Sequence, residues 1–211
     1  MPQIISRILT SVLLIIILYF TYIYNQLFYI LILIISFFSF VEFYKLIVKS
    51  YANKNDQYLK LCYGLMYLFF TLFILIIKLP DLKNLIFYFI LICVVTDIGG
   101  LIFGKLIKGK KLTKLSPNKT YAGFYGGFLF SLLILLTCYN YFETSFIVIA
   151  LFTFSVCLLS QFGDLFFSFL KRKAKVKDTG NLLPGHGGIL DRVDGIIISV
   201  PINILIYTIS S

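Results

Sequence analysis

Apolar residues in this chain run in unbroken blocks rather than alternating, and each block is about as long as a hydrocarbon core is thick. Seven blocks stand out, at roughly 6–24, 27–47, 59–77, 84–103, 121–139, 146–169 and 195–210. Each is predicted to be a helix, because lipid cannot hydrogen-bond an open backbone and a helix satisfies its own. The alternating ten-residue strands of a membrane barrel are absent. Only Asn25 and Gln26 separate the first two blocks, which predicts a tight antiparallel hairpin. No internal repeat is visible, and this argues against many transporter architectures.

Composition supports the same reading. The chain is 60% hydrophobic and 13% charged, more apolar than a soluble domain can cover with its own surface. The first block is long and no small-residue cleavage site follows it, so it reads as a retained span rather than a signal. Four cysteines sit singly inside apolar blocks without CxxC spacing. They are expected to be small buried hydrophobes, not zinc ligands or disulfides.

The net charge of +10 is distributed unevenly. If the blocks alternate across a membrane, 17 of the Lys and Arg residues fall on one side and only Lys78 and Lys83 on the other. This predicts a cytoplasmic N-terminus and an outer C-terminus. The basic side also suits anionic lipid or phosphate, so the charge does not call for nucleic acid. With no Trp in the chain, Tyr22, Tyr24 and Tyr51 are expected to form the interfacial belt. The expected fold is thus an all-α integral membrane protein of about seven spans, with two polar cytoplasmic loops forming an interfacial active site. A division near residue 83 separates three N-terminal spans (1–83) from a four-span catalytic part (84–211), where the polar chemistry lies.

Three polar groupings interrupt the apolar pattern. Asp97, in Thr96-Asp97-Ile98-Gly99-Gly100, puts a carboxylate inside the fourth span, where it needs a cavity or a partner. Gly100 and Gly104 have the spacing that lets helices approach closely. The second grouping, Gly104–Gly127, surrounds Ser116-Pro117-Asn118-Lys119-Thr120 with lysines. Thr120 is expected to cap a helix starting near Tyr121, and a helix N-terminus beside ammonium groups suits phosphate. A positive-inside loop with a turn explains the same residues without a ligand.

The third grouping runs from Ser160 to Asp194. Ser160, Asp164, Ser168 and Lys171 fall on one helix face. A basic run containing Lys171, Arg172, Lys177 and Asp178 leads to Pro184-Gly185-His186-Gly187-Gly188, then to Asp191, Arg192 and Asp194. Asp164, Asp191 and Asp194 are expected to converge, and three carboxylates together need a cation. Oxygen ligands of this kind suit Mg²⁺ shared with substrate phosphates. Lys171, Arg172, Lys177 and Arg192 would neutralise phosphate charge, and His186 would contact phosphate or nucleotide. The competing reading is a solvated loop with a glycine turn and aspartates at a helix N-terminus.

Ser168-Phe169-Leu170-Lys171-Arg172, Lys177-Asp178-Thr179-Gly180 and the run Leu183–Asp194 closely resemble the signature of phosphatidate cytidylyltransferases. Thr96-Asp97, Gly104-Lys105, Ser116–Thr120 and Gly163-Asp164-Leu165 also resemble that family, so the resemblance covers about residues 90–211. It implies that CTP and phosphatidic acid give CDP-diacylglycerol and pyrophosphate, with Mg²⁺, in the bacterial inner membrane or its organelle equivalents. It leaves room for a homodimer. Under the resemblance Asp164, Asp191 and Asp194 hold the metal. Asp97 supports them or takes a second cation. Lys119, Lys171, Arg172 and Lys177 hold phosphates, and Ser116, Thr120 and the turn His186-Gly187-Gly188 contact CTP or pyrophosphate. Two positions depart from the family pattern: Ala122 replaces an acidic or amide residue, and Phe167 replaces a common Glu. Two other activities compete with this one, a CTP-dependent lipid kinase and an ion or solute transporter using Asp97 and Asp164.

Overall fold

The computed structural model describes residues 2–113, 119–182 and 187–210. The described chain is helical: α1 (Pro2–Ile23), α2 (Asn25–Ser50), α3 (Lys54–Leu106), α4 (Tyr121–Cys138), α5 (Phe146–Lys173) and α6 (Leu190–Ser210), with a 3₁₀ turn at Tyr139–Tyr141. Five helices, α2 to α6, are long and apolar enough to cross a membrane. This is an all-α, multi-pass membrane protein. Large apolar side chains such as Leu13, Phe69, Phe73, Ile147 and Leu151 are exposed on the helices, as lipid-facing positions should be.

Two predicted connections are tighter than expected. Asn25 and Gln26 do not form the first connection; they open α2. Tyr24 alone leaves the helical conformation, with φ −109° and ψ 107°. The break predicted near residues 78–83 is a kink inside α3, where Leu82 has non-helical φ −115° and ψ 25° and Pro80 lacks a backbone donor. On each side of Leu82 the helical stretch is long enough to cross one hydrocarbon thickness. The helix therefore carries two of the predicted spans. Lys78 and Lys83 flank the kink, and the Lys83 ammonium lies 5.1 Å from the Tyr22 ring centroid.

The chain forms two compact units. The first holds residues 1–83 and 170–193; the second holds 84–169 and 194–211. The sequence division assigned residues 170–193 to the C-terminal part, whereas here they pack with the N-terminal helices.

In the first unit, α2 buries Phe28, Ile32, Ser36, Ser39, Glu42 and Leu46. Their three- and four-residue spacing makes one helix face. The Tyr51 ring, just beyond α2, receives the Lys60 and Lys173 ammonium groups at 4.1 and 3.5 Å from its centroid. This contact between cation and ring secures the end of α2. In the second unit the core is apolar, with Phe89 and Phe152 stacked at 6.0 Å. Short polar ties join its helices. The Tyr88 hydroxyl lies 2.6 Å from that of Thr153, and Cys93 Sγ lies 3.0 Å from the Ser199 hydroxyl. Thr96 and Ser131 hydroxyls meet at 2.9 Å. Hydrogen bonds of this kind hold helices together where lipid removes the hydrophobic drive. All four cysteines are free; Cys93 and Cys157 are buried, while Cys62 is exposed and Cys138 half-buried.

Glycines set the closest helix approaches in the second unit. A Cβ on Gly99 of α3 would lie 2.5 Å from the Gly126 oxygen of α4. The close approach expected around Gly100 thus forms, with Gly99 and Gly126 at its tightest point.

Candidate functional site

In the second unit, α4 begins where the sequence predicts. Thr120 is extended, and its hydroxyl accepts the Gly123 N–H at 3.1 Å, so it caps the helix. The loop before it closes on itself: Leu112 N–H donates to the Lys119 oxygen at 2.8 Å, and Tyr121 N–H to the Lys110 oxygen at 3.1 Å. This brings Lys119 onto α5, where its ammonium donates to Asp164 Oδ2 at 2.6 Å. The pair remains in reach of solvent, with side chains 27% and 30% exposed. A predicted phosphate-holding lysine and a predicted metal-binding carboxylate are therefore each other's partner.

Next to Asp164, α5 and α6 touch backbone to backbone. A Cβ on Gly163 would stand 2.6 Å from the Asp194 backbone oxygen and 3.1 Å from Gly195 Cα. Asp194 itself is buried, and its Oδ1 accepts the Gly195 N–H at 2.9 Å. The missing Gly163 side chain is what lets the two aspartate-bearing helices meet. Gly163→Ala is expected to lower stability by about 1–3 kcal/mol, the usual cost of overpacking. Thermal unfolding in detergent measures this, and a wild-type transition would mean the helices part without penalty.

The first unit contains a denser network. Asp191 Oδ1 accepts the Lys171 ammonium at 2.7 Å. Its Oδ2 accepts the Thr179 N–H at 2.8 Å, the Thr179 hydroxyl at 2.9 Å and the Gly188 N–H at 3.0 Å. Gly187 adopts φ +82°, a turn conformation that glycine enters without strain. Asp191 thus ties Lys171 at the end of α5, Thr179 and Gly188 to the start of α6 in one hydrogen-bonded knot.

Both Asp191 oxygens accept hydrogen bonds from protein donors. Among the described residues, no group of three or more His, Cys, Asp or Glu side chains is arranged to hold an ion. Asp164, part-exposed, and Asp194, buried, lie on helices that touch at Gly163. Carboxylate oxygens are the ligand type that suits Mg²⁺.

The other predicted residues divide by exposure. Arg172, Lys177, Asp178 and Arg192 are exposed, Ser168 is half-buried, and Asp97 is exposed on α3. Ser116 and His186 lie outside the described residues. Phe167, one of the two departures from the family pattern, is buried.

The sequence reading passed over Glu42 and named Thr179 only as part of the signature run, without a role. Glu42 lies in the second span and is only 2% exposed. Its carboxylate accepts the Thr179 hydroxyl at 2.7 Å and the N–H groups of Ile189 and Leu190 at 3.1 and 2.9 Å. A lone acid in an apolar block was the available signal, since an ionisable residue there needs a partner.

The model of the Cytidylyltransferase family matches residues 5–210. The chain belongs to this family. A phosphatidate cytidylyltransferase of Rickettsia bellii is 33% identical over 187 residues, covering 84% of this chain and 79% of the relative. One from Helicobacter pylori is 39% identical over 124 residues, covering 58% of this chain and 47% of the relative. One from Staphylococcus epidermidis is 39% identical over 147 residues, covering 68% and 54%. The chain therefore spans about half the length of several of the curated relatives it matches. The family match also extends through the N-terminal helices, where the sequence reading found only apolar spans.

Proposed function

We propose that this cytidylyltransferase-family protein transfers the cytidylyl group of CTP to phosphatidic acid, releasing pyrophosphate and forming CDP-diacylglycerol. The observation that carries this reading is the Lys119–Asp164 pair beside the α4 N-terminus, within reach of solvent at the end of an apolar bundle. It supplies a cation and a carboxylate at a depth where a lipid headgroup and a soluble nucleotide can both arrive. The names of the similar proteins favour the same chemistry.

A phosphate oxygen of the lipid attacks the α-phosphorus of CTP, and the bond from that phosphorus to the bridging oxygen breaks. The nucleophile is already anionic, so no residue needs to remove a proton from it. The obstacle is repulsion between two anions, and charge neutralisation with positioning lowers it. Lys119 would release Asp164 and engage incoming phosphate. Asp164 and Asp194 would hold Mg²⁺, which supplies further neutralisation of the triphosphate. The exposed Arg172, Lys177 and Arg192 would attract and bind phosphate, with Asp191 keeping their loop in place. The protein would lie in the cytoplasmic membrane with its N-terminus and its polar loops on the cytoplasmic side.

Purified protein in detergent, given CTP, phosphatidic acid and Mg²⁺, tests the reading. Label on the α-phosphate is expected in the lipid product, with one pyrophosphate released per turnover. Label from the γ-phosphate in lipid would instead identify a CTP-dependent lipid kinase. Neither label in lipid would remove both activities.

A further inference from the structure

We propose that Glu42, through Thr179, is a positioning residue for the proposed transfer reaction: it holds Thr179 and the 188–190 start of α6 in their working places. The proposal extends the functional reading above to the N-terminal helices and rests on it.

Glu42 is a carboxylate on the buried face of an apolar helix. A charge there is costly unless donors surround it. Three donors do, and all come from the 179–190 segment. Ile189 and Leu190 present backbone N–H groups at the start of α6, where no helical partner exists for them. A carboxylate from another helix satisfies both and suits the positive end of the helix dipole. The Thr179 hydroxyl lies 2.7 Å from Glu42 Oε2 and 2.9 Å from Asp191 Oδ2, and its single proton serves one of them at a time.

The loop backbone is shaped to close on this carboxylate. A Cβ on Gly180 would lie 2.5 Å from Glu42 Oε1, and one on Gly188 would lie 2.7 Å from the Glu42 carboxyl carbon. The two glycines leave room for the acid and for nothing larger. A continuous path then runs from Glu42 through Thr179 to Asp191 and Lys171, all in the first unit. An apolar residue at 42 would leave the Ile189 and Leu190 N–H groups without this acceptor, at a cost in stability. What the acid adds is direction: it pins two backbone donors and one hydroxyl at fixed points. The loop so pinned carries Lys177, and Arg192 follows on α6.

The test uses full-length wild type, E42Q, E42A, T179V and T179S in detergent. The readings are kcat and KM for CTP, thermal unfolding, and the rate of trypsin cleavage within Lys173–Lys177. Misplacing a positioning loop is expected to lower kcat by about 10–100-fold in E42Q and T179V. KM for CTP should change much less, and cleavage should quicken. T179S keeps the hydroxyl and is expected to retain activity within about threefold, since its hydrogen bonds persist. E42Q and T179V carry the test if E42A does not fold. Wild-type kcat in both E42Q and T179V, beside an active wild type, would overturn this role alone. So would a T179S variant as impaired as T179V. A wild type that turns over no CTP would overturn the functional reading, and this role with it.

Discussion

Asp191→Asn is expected to reduce both turnover and stability, and by more than any other single isosteric change in the loop. The carboxylate accepts from Lys171 and from the N–H groups of Thr179 and Gly188, and it shares the Thr179 hydroxyl with Glu42. An amide can accept on one atom only, and its NH₂ would face donors. Lys171 and Asp191 side chains are 15% and 6% exposed, so the orphaned ammonium has little water to turn to. Breaking a pair this deep is expected to destabilise by about 2–4 kcal/mol. Turnover should fall by about 100-fold or more, as the loop loses its fixed geometry. Chaotrope unfolding in detergent and pyrophosphate release measure the two effects. A variant with wild-type release would show that the knot has no part in turnover.

Asp164→Asn is expected to behave differently, and the contrast separates a structural pair from a reacting one. The Lys119–Asp164 pair is 27% and 30% exposed, and solvent screens it. Its loss should change stability by less than about 1 kcal/mol. Turnover should nonetheless fall by about 100–1,000-fold, the range for removing a group that stabilises developing charge. The double exchange Lys119→Asp with Asp164→Lys sharpens the test. It keeps opposite charges at the two positions but reverses which of them offers the anion. Recovery of pyrophosphate release in the exchanged protein would make the pair structural only.

Helix positions were legible in the sequence because the bilayer leaves few alternatives. An apolar run of about twenty residues has one stable backbone form in lipid, so α2, α4, α5 and α6 appear close to their predicted limits. The connections were less legible. Tyr24 turns the chain alone, and Pro80 with Leu82 bends α3 without ending it. A polar run marks where a span ends, but it does not distinguish a kink from a loop.

The functional residues divide in the same way. The sequence pointed to Lys119, Thr120, Asp164, Lys171, Asp191 and Asp194 because charge and glycine gather around them in otherwise apolar surroundings. It read Asp164, Asp191 and Asp194 as one set, since like residue types at helix ends look alike. Their hydrogen bonds differ: Asp191 accepts from Lys171 and from loop N–H groups, and Asp164 faces a lysine.

By itself the sequence determined the membrane-embedded helical class, the approximate positions of the apolar helices, and the segments that carry polar chemistry. These follow from local composition, because transfer into lipid is decided stretch by stretch. Only the tertiary structure decided that Glu42, 137 positions before Thr179, holds the loop. It alone decided that Asp191 accepts from that loop and that Gly163 allows α5 to touch α6. Hydrogen-bond partners and close backbone contacts depend on which distant segments meet, and no local pattern records that.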